Sequence, residues 1–203
     1  MFPTQAPVLP ISNIEQSWAS DLSLRRSRQF RHSRGYVRHA LAGLWNIPAL
    51  DIPLQAPPGK PPELPQGWGF ISFSHCQDAL MVGWASQPIG VDLERADRQF
   101  AADLLAKRYF SPAEQEAISC LTGERRRAVV LEHWLIKEAA IKWQRGSLAA
   151  DLSNWCCCLE ASRAVHQALG LEVSVQRLEH GPWGMAVACN TSKEMAPMML
   201  CVA

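Results

Sequence analysis

The sequence predicts an α+β fold built from two halves of similar order. Two stretches, Leu22 to Trp45 and Glu124 to Arg145, space their apolar residues as helices do, and each is followed by short strand-like segments. With 48% hydrophobic and 19% charged residues among 203, the chain can bury a large core and lies outside the composition of disordered segments. A division near residue 88 separates an N-terminal half, 1–88, from a C-terminal half, 89–203.

Residues 1 to 20 are expected to be an extended lead-in, because prolines interrupt them. The helix from Leu22 is basic, holding Arg25, Arg26, Arg28, Arg31, Arg34 and Arg38. Proline-rich sequence from Leu50 to Gly69, with Lys60 inside it, predicts a loop. Strands follow at Trp68 to Ser74, Leu80 to Ala85 and Ile89 to Glu94, and a helical stretch near Phe100 to Arg108. Ser111-Pro-Ala-Glu114 is a helix start with cap, first-turn proline and capping-box Glu, and that helix should stop near Thr122-Gly123. The long helix from Glu124 should end at Gly146. Beyond it, residues 154–160, 171–178 and 183–189 read as strands.

Several function classes are disfavoured at this level. The net charge of +1 provides no global field for a polyanion, so nucleic acid is not an expected partner. Seven cysteines, three of them consecutive at Cys156, Cys157 and Cys158, fit neither a disulfide framework nor a zinc site, and are expected as free thiols in a reducing cytoplasm. The first residues lack the pattern of a signal peptide, and no apolar run reaches membrane-spanning length.

Asp92 and Glu94 stand two apart on a strand and so share a face, while Val91 and Leu93 take the other. Two carboxylates behind Gly90, which permits close backbone approach, suit a hard cation, although D-x-E alone is common on solvent-facing strands. Glu138 is the candidate third ligand. At 100° per residue it shares a helix sector with Trp134, Lys137 and Ile141, with Lys142 at the edge, which holds these charges at the margin of the core. A Glu138–Lys142 pair of the ordinary helix-stabilising kind is the competing account. His75 closes a strand as a possible donor or base, and Arg34 and Lys60 are candidate phosphate ligands.

Together, Ile89 to Glu94 (I-G-V-D-L-E) and Trp134 to Lys142 (W-L-I-K-E-A-A-I-K) resemble the motifs of the phosphopantetheinyl transferase superfamily. Ser74-His75, Gly59-Lys60-Pro61 and the arginine-bearing helix around Arg34 stand upstream in the family's order. The ordered set is specific where each motif alone is weak. A chain of this length resembles the surfactin-type class, which implies two pseudo-symmetric α+β halves in one monomer with the active site between them. Ser72 stands where many relatives carry Asn, a shorter side chain at that local hydrogen bond.

The resemblance implies transfer of the 4′-phosphopantetheine arm of coenzyme A to a serine of an apo acyl or peptidyl carrier protein, with release of adenosine 3′,5′-bisphosphate. It implies Mg²⁺ held by Asp92, Glu94 and Glu138. Lys142, with Lys137, would contact the pyrophosphate, and Arg34, Lys60, Ser74 and His75 would hold the 3′-phosphate and adenine end. Glu138, Lys142 and His75 are the catalytic candidates. Which of Arg25, Arg26 and Arg28 touches coenzyme A stays open. Arg95, Arg98, Phe100, Leu104, Lys107, Arg108 and Phe110 mix basic and apolar character and are either a docking surface for an acidic carrier or a helix packed on the core. The alternatives are another Mg²⁺-dependent phosphoryl transferase or a non-catalytic module that binds a phosphate ligand.

Overall fold

A computed structural model describes residues 7–190 and, for the backbone alone, 198–202. The expected extended lead-in contains a helix, α1 (Asn13–Ser20). Ser12 Oγ accepts the Glu15 amide at 3.4 Å while Glu15 Oε2 accepts the Ser12 amide at 2.8 Å, a capping box that outweighs the nearby prolines. Glu15 is fully buried and pairs with Arg38 at 2.7 Å, so tertiary contact holds this short helix in place.

Helix α2 (Leu24–Trp45) keeps Arg25, Arg26 and Arg28 in solvent and buries Phe30, Val37 and Leu41. Val37 and Leu41 pack with Ile52, Leu54 and Ala56 of the proline-rich loop and with Ile71, Leu80 and Val82. These last three belong to β1 (Phe70–His75) and β2 (Leu80–Ala85), which pair antiparallel. The C-terminal β8 (Met198–Val202) returns to the free edge of β2, giving the order β1-β2-β8.

The second sheet is antiparallel throughout, in the order β3 (Ile89–Arg95), β7 (Trp183–Cys189), β6 (Leu171–His180), β5 (Arg163–His166), β4 (Trp155–Cys158). Residues 163–166 and 198–202 form strands where the sequence predicted none, since runs of four and five residues carry too little pattern to detect. One face of β3 and β7 (Ile89, Val91, Leu93, Met185, Val187) packs against Ala79, Met81 and Ala85 of the first sheet.

Between β3 and β4 lie α3 (Ala102–Tyr109), α4 (Pro112–Ala117), α5 (Gly123–Gln144) and α6 (Leu148–Asp151). Helix α4 starts on the predicted Ser111–Glu114 capping box but ends at Ala117, several residues short of the expected stop. Helix α5 lays Leu135, Ile136, Ala139 and Ala140 against Val173, Val175, Ala186, Ala188 and Trp155. Its left-handed terminal residue is Arg145 (φ 62°), not the expected glycine; Gly146 follows and donates to Ile141 O at 2.9 Å. The architecture is therefore mixed α+β with two sheets, a long helix on the outer face of each. No helix among the described residues is long and apolar enough to cross a membrane.

Candidate active site

The edges of the two sheets meet at β1 and β3, and side chains rather than a backbone ladder join them there. Ile71 and Phe73 of β1 face α2, which turns Ser72 and Ser74 toward β3. Ser72 Oγ accepts the Val91 amide at 3.0 Å, so the shorter side chain at this position still makes a local hydrogen bond. Ser74 Oγ donates to Asp92 Oδ1 at 2.7 Å.

On β3 the alternation places Val91 and Leu93 in the core between the sheets and Gly90, Asp92 and Glu94 on the side of α5. A Cβ on Gly90 would lie 2.0 Å from Ala139 O and 2.3 Å from Trp143 N. Only glycine lets the α5 backbone pass this close. The helix then delivers Lys142 Nζ to Asp92 Oδ1 (2.6 Å) and Ser74 Oγ (3.0 Å), and Glu138 to within 3.8 Å of the same ammonium. Arg98 ion-pairs with Glu94.

Three carboxylates from β3 and α5 therefore share one seam. Burial first, then the charge of Asp92, lifts the Glu138 carboxyl to about 8 despite Lys142. Glu94 is raised as well, by burial and by Asp92. Asp92 is 2% exposed, and its Oδ2 is buried without a hydrogen-bond partner. Among the described residues, no group of three His, Cys, Asp or Glu side chains stands close enough to enclose a metal ion as placed. The donor chemistry nevertheless fits a hard cation: all-oxygen, with one orphaned carboxylate oxygen and cationic side chains that presently neutralise the others.

Beside the seam opens a cleft of 1760 Å³, whose wall carries Arg26, Arg34, Lys60, His75 and Lys142. Of the three arginines left undecided by sequence, Arg26 lines this cleft. Arg34 is buried, sandwiched between the rings of Phe30 (4.4 Å) and Phe73 (4.7 Å), and donates to Ala56 O at 2.9 Å. Burial brings its guanidinium down to about 10, so it keeps its charge at neutral pH. His75 is brought down to about 4 by burial, then by Lys142 and Arg34, and is a neutral imidazole at neutral pH. Sequence did not single out Phe70, Trp84 and Trp143, which with Phe73 form the aromatic part of the wall. Their only sequence signal was an aromatic residue on an element next to a candidate ligand.

Two residues expected to hold coenzyme A do not line the cleft. Ser74 faces Asp92 rather than the cleft. Lys137 points away from Glu138: it is fully buried and binds Glu114 (2.9 Å) and the carbonyls of Tyr109, Leu152 and Trp155. The 100° spacing made Lys137 and Glu138 neighbours in projection, but α5 is covered on several sides, and adjacent residues enter different environments. The mixed segment after Glu94 also divides. Phe110 is core, Arg95 pairs with Asp78 and Asp97, and Leu104, Lys107 and Arg108 are exposed.

A smaller groove of 590 Å³ lies on the other side of His75, lined by Glu94, Arg95, Arg98 and Gln99 among others. Cationic side chains thus line the cleft on the Lys142 side of the carboxylate seam, and a polar groove adjoins Glu94. The described cysteines are free thiols.

The match to the 4′-phosphopantetheinyl transferase HetI of a Nostoc species has 29% identity over 120 residues, covering 57% of this chain and 51% of the relative. The chain thus matches about half the length of that protein. Residues 88–188 match the family model of the 4′-phosphopantetheinyl transferase superfamily, a span that contains Asp92, Glu94, Glu138 and Lys142 and places the carboxylate seam inside a domain similar to that superfamily.

Proposed function

We propose that this chain is a transferase that moves the 4′-phosphopantetheine arm of coenzyme A onto a serine of an apo acyl or peptidyl carrier protein. The observation that carries this proposal is the contact of Lys142 with Asp92 (2.6 Å), with Glu138 one helical turn away, beside a cleft bearing Arg26, Arg34, Lys60 and His75. Cations that suit phosphates line one wall, and carboxylates that suit a divalent cation stand next to it.

In this proposal the serine hydroxyl of the carrier attacks the phosphorus that bears the pantetheine arm. The new serine O–P bond forms as the pyrophosphate P–O bond breaks, and adenosine 3′,5′-bisphosphate departs. Asp92, Glu94 and Glu138 would hold Mg²⁺, which when bound neutralises charge developing on the phosphoryl oxygens. Lys142 lines the cleft and touches the seam, so it can move from Asp92 to a pyrophosphate oxygen once Asp92 has another partner. Arg34, Arg26, Lys60 and the neutral His75 bind and orient the nucleotide end. Glu138, in its ionised form beside the cleft, would take the serine proton.

The proposal extends to a monomer of two pseudo-symmetric halves, divided near residue 88, acting in the cytoplasm. Its test is transfer by the Glu94→Ala and Glu138→Ala variants with coenzyme A, Mg²⁺ and an apo carrier. Folded but inactive variants are expected. Transfer that survives in either variant and ignores EDTA would remove the cation from the account. If several diverse apo carriers stay unmodified while coenzyme A binds, the chain is a phosphate-ligand-binding module instead.

A further inference from the structure

Arg98 ion-pairs with Glu94, four residues before it, and the pair sits at the wall of the smaller groove. Its backbone is pinned. The Arg98 amide donates to Arg95 O at 3.1 Å, and its carbonyl accepts Arg127 Nη1 at 2.8 Å. The side chain is another matter: it is 40% exposed and lies against the Phe100 ring at 5.7 Å. The adjacent Arg95 is already held by Asp78 (2.5 Å) and Asp97 (2.7 Å), so it does not share this role.

Glu94 and Asp92 thus each carry a cationic side chain, Arg98 on one and Lys142 on the other. Lys142 has a use after release, because it lines the phosphate cleft. Arg98 does not line that cleft. A guanidinium fixed on a carboxylate that a divalent cation would need competes with that cation for the same oxygens.

We propose that Arg98 is a built-in counter-ion that sets the Mg²⁺ concentration at which the seam loads, by holding Glu94 until the metal displaces it. This rests on the proposed Mg²⁺ role of Asp92, Glu94 and Glu138. On displacement the guanidinium swings over Phe100 into the groove, while the pinned backbone leaves β3 and its carboxylates in place. No covalent step is involved. Arg98 acts through Glu94 and is a positioning residue, not a catalytic one.

The experiment is titration of the whole chain with Mg²⁺ alone, without coenzyme A or carrier, by calorimetry, on wild type, Arg98→Gln, Arg98→Lys and Asp92→Asn. Loss of a competing half-exposed ion pair should tighten Mg²⁺ binding by about three- to tenfold in Arg98→Gln, and Arg98→Lys should stay near wild type. An Arg98→Gln variant that binds no tighter than wild type, or an Arg98→Lys variant as tight as Arg98→Gln, overturns the counter-ion while leaving the metal site standing. Equal binding by wild type and Asp92→Asn overturns the metal site itself, and the counter-ion with it.

Discussion

Replacing Lys137 with Met should destabilise the protein severely, although Lys137 lies outside the cleft. Its ammonium is 0% exposed and Glu114 is 5% exposed, at 2.9 Å from each other. The same ammonium serves the carbonyls of Tyr109, Leu152 and Trp155, at the ends of α3, of α6 and on β4. Glu114 in turn accepts the amides of Ser111 (2.8 Å) and Cys157 (2.9 Å). One buried pair therefore ties four elements to α5. Methionine keeps most of the volume but leaves Glu114 as an uncompensated buried charge, and breaking such pairs from one side costs about 3–5 kcal/mol. That is a fifth or more of the roughly 5–15 kcal/mol that holds a domain folded. Urea unfolding followed by tryptophan fluorescence reads this directly, and Glu114→Gln/Lys137→Met should recover part of the loss. A loss below about 1 kcal/mol, or additive effects in the double variant, would refute the reasoning. The sign with pH is also determined. Burial alone would raise Glu114, but Lys137 and the two amides outweigh it and bring the carboxyl below its ordinary 4.5. Its contribution is complete above 4.5 and is lost as pH falls through the lower folded value, a loss absent in Glu114→Gln.

Two further perturbations probe the seam. Gly90→Ala places a methyl inside the α5 backbone, so unfolding experiments should show a loss of at least about 2 kcal/mol and Mg²⁺ binding should weaken as Glu138 moves off β3. His75 falls to about 4 in the fold from 6.5, so wild type should lose stability as pH drops across that window, by up to about 3 kcal/mol, and His75→Gln should have a flatter profile there. Equal slopes for the two proteins would show that His75 is not held neutral.

The legible parts of this chain were those in which one residue type has one physical use. Gly90 before two alternating carboxylates announced a close backbone approach, and α5 passes there. Ser111 to Glu114 announced a helix start, and α4 begins on it. The sequence was misleading where a partner elsewhere decides. Glu15 buries itself in α1 because Arg38, 23 residues away, meets it. Lys137 and Glu138 look equivalent on a helical wheel, yet Glu114 claims one and the β3 seam the other. Phe110 has the composition of a docking segment, but packs with Ala106, Ile118 and Val130 in the core. Such choices depend on contacts distant in sequence, which no local period encodes.

The most direct measurement is the intact mass of a purified apo carrier protein after incubation with this chain, coenzyme A and Mg²⁺. The account predicts that the carrier gains one phosphopantetheine arm on its serine, that adenosine 3′,5′-bisphosphate appears in equal amount, and that EDTA stops both. A carrier whose mass stays unchanged while the chain demonstrably binds coenzyme A and Mg²⁺ would contradict it.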